Sequence, residues 1–189
     1  MRTALIAVVF ALSLCAVVEA STILISAPSV SISNSNSSGS FTVTVTFDGN
    51  YQVAGYDVKL KLTPESGATG GLAFTGFSAA SSNYVLTAAH YGVSGTTDAN
   101  HIFAQDSLLT GTELMGNQTR NMITVNYAIA PGTLGEFDIG VSIVDGFNDG
   151  ESDFSPQNFH SGQIEVTPEP ATLALLAVGG VCAVLKRRR

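Results

Sequence analysis

Five oxygen-bearing side chains lie within nine residues near the end of the sequence, and together they could bind a hard cation. They are Asp145, Asn148, Asp149, Glu151 and Asp153. Carboxylate and amide oxygens at this density suit Ca²⁺, which takes about six to eight oxygen ligands. The spacing differs from that of an EF-hand loop, because Phe147 stands at the third position, where an oxygen ligand belongs. Calcium ligation and a solvated acidic loop without a metal both fit this pattern.

Tyrosine side chains are the second group with a possible binding role, because flat aromatic rings stack on sugar rings. The chain has no Trp, and Tyr56 and Tyr127 fall on the inward faces of predicted strands. The candidates for stacking on a ligand are Tyr51, Tyr84 and Tyr91. Ordinary packing of these three rings is the alternative interpretation.

Histidine and cysteine show no pattern that is typical of a catalytic site. No two of the three histidines, His90, His101 and His160, have the spacing of paired metal ligands. The two cysteines, Cys15 and Cys182, lie in the terminal segments, and no G-x-S-x-G motif is present. The sequence therefore predicts a protein that is not an enzyme and that needs no cofactor, with calcium as the one candidate ion.

The charge of the central part of the chain excludes one class of partner. Residues 21–167 carry thirteen acidic side chains and only three basic ones, Lys59, Lys61 and Arg120. Such a surface repels phosphate backbones, so we expect no nucleic-acid partner.

Hydrophobic residues in the central part alternate with polar ones, which is the pattern of half-buried strands. The first such run alternates threonines with Phe41, Val43, Val45 and Phe47. The same alternation occurs in residues 54–62, where Asp57, Lys59 and Lys61 are predicted to face outward. The predicted strands cover residues 23–25, 30–32, 41–47, 54–62, 72–77, 84–88, 101–104, 122–130, 135–144 and 163–166. Residues 33–40 and 92–100 are predicted connections. Roughly nine short strands joined by Gly- and Ser-rich turns predict an all-β fold, an antiparallel jelly-roll β-sandwich.

The order of these strands resembles that of cohesins and carbohydrate-binding modules. The resembling stretches are residues 41–45, 53–60 and 135–144, followed by the acidic loop and the closing strand 162–166. The resemblance implies a nine-stranded sandwich. As an alternative function it implies a module that binds a carbohydrate or, as cohesins do, a dockerin-like protein.

The first twenty residues predict a signal peptide. Arg2 supplies a positive charge, residues 4–14 are apolar, and Val18-Glu19-Ala20 resembles a cleavage site for export. Lipoprotein processing at Cys15 is the competing possibility, although the bulky Leu14 departs from the small residue that such a site prefers.

The last twenty-two residues predict a sorting tail. Pro168-Glu169-Pro170 is followed by the apolar run 171–185 and by four cations, Lys186, Arg187, Arg188 and Arg189. The basic cluster stops translocation and stays on the cytoplasmic side. As a helix the run would be about 23 Å long, shorter than the roughly 30 Å hydrocarbon core, which suits a transient stop in the inner membrane.

This order of elements resembles the PEP-CTERM sorting tail of bacteria that produce extracellular polysaccharide. The resemblance implies that an exosortase-type enzyme cuts near the motif and passes the protein to the cell surface or its matrix. We therefore expect a signal peptide (residues 1–20), a β-sandwich (21–167) and a sorting tail with an apolar helix (168–189). The expected role is structural or adhesive, within a matrix that contains extracellular polysaccharide.

Overall fold

The fold is given by a computed structural model that describes residues 22–156, 158–169 and 175. The predicted signal peptide, and the predicted apolar helix apart from Leu175, lie outside the described residues. The described part of the chain forms fifteen strands: β1 (Thr22–Ser26), β2 (Ser29–Ser33), β3 (Ser38–Asp48), β4 (Tyr51–Val53), β5 (Gly55–Pro64), β6 (Leu72–Ala79), β7 (Ser94–Thr97), β8 (His101–Ser107), β9 (Glu113–Met115), β10 (Gln118–Ile129), β11 (Gly135–Ser142), β12 (Phe147–Asn148), β13 (Asp153–Phe154), β14 (Asn158–His160) and β15 (Gly162–Thr167).

The long strands form two sheets that enclose one hydrophobic core. The first sheet has the order β14–β1–β3–β10–β6. The second has the order β13–β12–β5–β11–β15–β2, and β8 pairs with β5 and with β7. A two-stranded ribbon of β4 and β9 lies beside them. The predicted all-β sandwich is confirmed.

Alternation along the strands places the core where the sequence predicts it. In β3 the side chains of Phe41, Val43, Val45 and Phe47 are buried, while the threonines between them are partly exposed. In β10 a register shift between Asn121 and Ile123 lets Met122 and Ile123 both point into the core. A bulge of this kind inserts an extra residue in one strand, which breaks strict alternation locally.

Two strand pairs are parallel, although the sequence predicts an antiparallel sandwich. The N-terminal segment crosses from one sheet to the other at Ala27 and Pro28, so that β1 pairs with β14 and β2 pairs with β15, both in parallel. The count of fifteen strands exceeds the nine expected because several strands of two to four residues line the rims of the sheets.

Three local predictions are wrong in whole or in part. Residues 33–40 are not all connection, because β3 already begins at Ser38. Residues 84–88 are not a strand, since their strand pairing is limited to one isolated bridge between Tyr84 and Asn121. Residues 92–100 are not all connection, because β7 lies within them. That strand is exposed throughout and shows no hydrophobic alternation. Gly95 lets it approach β8, since a Cβ there would lie only 1.9 Å from the carbonyl oxygen of Phe103.

The described residues contain no helix of the length and apolarity needed to span a bilayer.

Phe147 ties the short β12–β13 hairpin to the core, and its removal should be costly. Its ring is fully buried, with centroids 5.5 Å from Phe47, 6.0 Å from Phe154 and 6.2 Å from Tyr56. We expect Phe147→Ala to lower the free energy of unfolding by about 3–5 kcal/mol, because it leaves a cavity. The measurement is urea unfolding, with the more exposed Phe159 changed to Ala as control. Equal losses in both variants would contradict this assignment.

Candidate functional site

A buried carboxylate on β5 holds the loop that follows β11. Oδ1 of Asp57 accepts a hydrogen bond from the N–H of Val144 at 2.6 Å. Oδ2 accepts from the N–H groups of Asp145 and Gly146, each at 2.8 Å. Three successive N–H groups that converge on one carboxylate form an anion-binding nest. Asp57 therefore fixes the start of the acidic loop.

The sequence prediction for Asp57 is wrong in one respect, because this residue does not face solvent. It stands on the outer face of β5 as alternation requires, but the loop covers it and leaves it 6% exposed. Gly146 permits this cover, since its φ is 93° and a Cβ there would lie 2.8 Å from the carbonyl oxygen of Phe154. Alternation assigns the face of a strand, and it cannot show that a distant loop folds over that face.

A second buried carboxylate, on the neighbouring strand β8, holds the segment between β6 and β7. Oδ1 of Asp106 accepts hydrogen bonds from the N–H groups of Gly92 and Ser107. Oδ2 accepts the hydroxyl proton of Tyr84 at 2.6 Å and lies 2.6 Å from Nδ1 of His90. The contact of His90 with this oxygen lacks the geometry of a directional hydrogen bond.

Two tyrosine hydroxyls extend this network into the core. The oxygen atoms of Tyr56 and Tyr84 are 2.8 Å apart. Tyr84 donates its single proton to Asp106, so Tyr56 donates to Tyr84. Burial raises the pKa of both phenols, and both therefore stay protonated at neutral pH. Their chemistry here is that of hydrogen-bond donors and not of nucleophiles or bases.

The same segment is fixed at a second point by Glu113 of β9. Its carboxylate accepts hydrogen bonds from the N–H and hydroxyl of Thr87 and from the N–H of Ala88. Burial alone would raise the pKa of Glu113, but these hydrogen bonds outweigh it and lower the pKa. Side-chain anchors thus replace a strand ladder in residues 84–88.

The two anchored loops enclose a cleft of about 230 Å³ at one end of the sandwich, which we call the acidic cleft. Asp57 and Asp106 lie at its base, and Tyr91 stands beside it with 74% of its surface exposed. The remaining lining side chains are polar for the most part: Ser94, Gln105, Ser107, Asp145, Asn148 and Asp153.

The structure divides the predicted calcium ligands into two groups. Asp145, Asn148 and Asp153 line the acidic cleft, whereas Asp149 and Glu151 do not. Asp149 closes its own turn by accepting hydrogen bonds from the N–H groups of Glu151 and Ser152, which lowers its pKa. Among the described residues, no group of three or more His, Cys, Asp or Glu side chains is placed to hold a metal ion. Calcium also takes amide and main-chain oxygens, so its binding here stays a prediction.

The three predicted stacking tyrosines occupy different environments. Tyr91 lines the acidic cleft, and Tyr84 belongs to the network of Asp106. Tyr51 packs on Phe154, with ring centroids 5.8 Å apart and planes inclined by 17°, and also contacts Phe47. Of the three, Tyr91 offers the most exposed ring.

A second surface, the lysine face, lies on the outer side of β7, β8, β5 and β11. The strand register aligns Thr96, Phe103, Lys59 and Ser142 in one row across the four strands. Lys61 and His101 form the neighbouring pair. These residues line a groove of about 590 Å³. The ammonium of Lys59 lies 5.9 Å from the centroid of the Phe103 ring, within range of a cation–π interaction.

Sequence reasoning missed the roles of Asp106 and Phe103. In β8 the buried positions alternate, and Asp106 stands at an inward position two residues after Ala104. This alternation gives a weak indication in the sequence that the carboxylate of Asp106 is buried. Phe103 becomes part of the lysine face only through strand pairing. No local pattern indicates that pairing.

The beginning of the predicted sorting motif is described, and the rest lies outside. Pro168 and Glu169 follow β15 directly and are half-buried. Pro170 and the four terminal cations, residues 186–189, are not among the described residues.

Removal of the Asp57 carboxylate should destabilise the fold strongly. We expect Asp57→Ala to lower the free energy of unfolding by about 3 kcal/mol, because three N–H groups lose their acceptor. The control is Asp48→Ala, since Asp48 is exposed at the end of β3. Urea unfolding measures both, and an Asp57→Ala variant as stable as Asp48→Ala would refute the anchor.

The calcium prediction is tested by comparing thermal melting in about 5 mM CaCl₂ with thermal melting in EDTA. This calcium concentration exceeds the dissociation constants of extracellular calcium modules, which are roughly 10⁻⁴–10⁻³ M. Binding to the folded state should raise the melting temperature in calcium. Asp153→Asn should remove that rise, because Asp153 lines the cleft without closing the Asp149 turn. Asp149→Ala serves as the control, since it should lower stability with and without calcium. Equal melting temperatures of the unaltered chain in calcium and EDTA would contradict the prediction.

One stretch of the chain matches a known family. Residues 166–189 match the PEP-CTERM protein-sorting motif, which confirms the predicted tail and implies export with processing by an exosortase. No curated protein sequence matches the chain.

Solved structures similar to this chain include several cohesins. A non-cellulosomal cohesin from Archaeoglobus fulgidus matches with a TM-score of 0.55 and 9% identity, over 81% of this chain and 96% of that one. The third ScaC cohesin of Acetivibrio cellulolyticus, solved with the ScaB dockerin, matches with a TM-score of 0.57 and 12% identity, over 76% and 98%.

A cohesin in the Coh-OlpA–Doc918 complex of Clostridium thermocellum matches with a TM-score of 0.55 and 11% identity, over 77% of this chain and 99% of that one. At these identities the likeness shows the fold alone. The chain thus combines a cohesin-like β-sandwich with a C-terminal PEP-CTERM sorting motif, which implies that it is exported.

Proposed function

We propose that this exported protein acts at the cell surface as a non-catalytic module that binds another protein through the lysine face. The observation that carries the proposal is the position of the two lysines. They are the only lysines of the domain, and they stand two residues apart on one strand beside a partly exposed aromatic ring. In a domain with thirteen acidic side chains, this places two positive charges on one surface, where Asp98 is the one acidic side chain that lines the groove.

The chemistry of the lysine face defines the partner. Lys59 and Lys61 can pair with carboxylates, and Phe103 offers apolar area for a side chain seated in the groove. We therefore expect a partner surface that is acidic and carries at least one apolar residue. Charge complementarity of this kind gives specificity and speeds association.

The similar structures support protein binding in a general way. Several of the cohesins that share this fold were solved in complexes with dockerins. Domains of this architecture therefore bind another protein in those complexes. The likeness does not transfer the dockerin itself, because function resides in particular side chains and not in the fold.

The proposed route to the surface uses both ends of the chain. The signal peptide, residues 1–20, directs export and is removed. The apolar run 171–185 and the terminal cations then hold the protein in the inner membrane until an exosortase cuts near the PEP motif. The mature protein takes a structural or adhesive role in the surface matrix, in contact with extracellular polysaccharide.

Carbohydrate binding at the acidic cleft is a second candidate, favoured by the exposure of Tyr91. A ring that is 74% exposed beside amide and carboxylate side chains resembles the usual combination of stacking and hydrogen bonding in sugar recognition. Tyr91→Ala should then abolish a signal on a glycan array while the protein contacts of the lysine face persist.

The lysine face is tested by capture of partners from the envelope of the native host with the mature protein as bait. We expect chemical cross-linking to recover one protein partner whose binding to the bait is saturable. Lys59→Glu combined with Lys61→Glu should reduce its capture at least about tenfold, because attraction becomes repulsion. Phe103→Ala should weaken capture without changing its salt dependence.

The matched control is Arg120→Glu, a charge reversal on β10 of the other sheet. Melting temperatures establish that each variant is folded. Equal capture by the double lysine variant and the unaltered protein would overturn the proposal for this face. A partner lost only in Tyr91→Ala would assign recognition to the acidic cleft.

A further inference from the structure

The sandwich and the sorting signal share residues. The stretch that matches the sorting motif begins at Val166, whereas β15 ends at Thr167. Val166 is 2% exposed and belongs to the core. The signal therefore starts inside the fold, with no linker between the two.

Hydrogen bonds tie the start of the motif to β2. Val166 and Thr167 pair in parallel with Ile32 and Ser33. The carbonyl oxygen of Thr167 accepts a hydrogen bond from the N–H of Asn34 at 2.8 Å, and its hydroxyl donates to the carbonyl oxygen of Ile32 at 3.2 Å. The last residues of β15 are thus already paired as a strand.

The next residues are held against the body of the domain. Pro168 lines a cavity of about 390 Å³ together with the turn at Ser66–Ala68 and residues Leu134–Glu136. Pro168 and Glu169 are both half-buried. One side of the motif is therefore covered by the loops at this end of the sandwich.

The distance to the membrane-directed segment is short. Four residue steps separate Thr167 from Ala171, where the apolar run begins, and four steps span at most about 14 Å. An enzyme that cuts near the motif at the membrane must therefore approach the end of the folded domain closely.

We infer that the folded sandwich withholds the first residues of the sorting motif, so that the end of β15 must separate from β2 before the processing enzyme can take the chain. The partner that meets this end of the domain is the membrane-embedded protease itself. A protease binds its substrate in an extended conformation, and the strand bonds of Thr167 compete with that binding. The inference rests on the sorting tail and is independent of the lysine face.

The first test changes a residue outside the motif. Asn34→Pro removes the N–H that binds the carbonyl oxygen of Thr167 and leaves residues 166–189 intact. We expect conversion of precursor to mature protein, followed by pulse-chase in the native host, to be about twofold to tenfold faster. Asp149→Ala is the control, because it weakens a turn at the other end of the sandwich and should leave the rate unchanged.

The second test moves Pro168 and the residues after it away from the domain and leaves the Pro-Glu-Pro residues, the apolar run and the basic cluster unchanged. A spacer of six Gly and Ser residues between Thr167 and Pro168 should accelerate conversion at least as much as Asn34→Pro. Intact mass should show that the mature chain retains Thr167. Acceleration by the spacer without acceleration by Asn34→Pro would overturn the required separation of β15 from β2, since it would assign the obstruction to the covering loops alone.

Three further outcomes would overturn the inference. The first is a spacer variant processed at the rate of the unaltered chain. The second is a mature chain that lacks Thr167, because the cut would then fall within the paired part of β15, which the inference places out of reach. The third is an unaltered chain that is never cleaved, which would show that the motif is not a processing signal here.

Discussion

The cleft end of this sandwich depends on two buried aspartates that stand on adjacent strands. Asp57 on β5 and Asp106 on β8 lie at neighbouring register positions, since Asp57 pairs with Gln105 and Tyr56 pairs with Asp106. Each carboxylate is buried only because N–H and O–H donors satisfy it, as burial of an unpaired charge would be prohibitive. Asp57 fixes the loop after β11, and Asp106 fixes the segment before β7. Residues 21–167 contain no cysteine, so these anchors act where an exported domain often uses disulfides.

The functional surfaces lie in order along the strands. β5 begins at Gly55 beside the acidic cleft and ends at Pro64, which pairs with Phe137 near the sorting motif. At about 3.3 Å per residue, these ends are about 30 Å apart. The lysine face lies between these two ends of β5.

The fold follows from the sequence wherever a strand alternates between core and solvent. Phe41 to Phe47 and Ile123 to Ile129 predicted their strands because period two reflects burial on one face. The prediction fails for residues 84–88, which are mostly hydrophobic and yet pair with β10 only through one isolated bridge at Asn121, while Asp106 and Glu113 hold the rest of the segment. It also fails for β7, whose place is set by backbone contact at Gly95. In both places contacts between distant residues outweigh local pattern.

The sequence by itself determined the class of fold, the acidic surface and the sorting motif. Each of these depends only on residue types and their spacing over short stretches of the chain. The sequence also predicted a calcium site from Asp145, Asn148, Asp149, Glu151 and Asp153; the structure places three of the five in the lining of the acidic cleft, and calcium binding stays a prediction. Only the tertiary structure decided that this loop covers Asp57, that Tyr91 stands beside it, and that Phe103 lies next to Lys59. The physical reason is that β8 and the acidic loop meet β5 from about forty to ninety residues away, and pairing over such distances depends on the packing of the whole core.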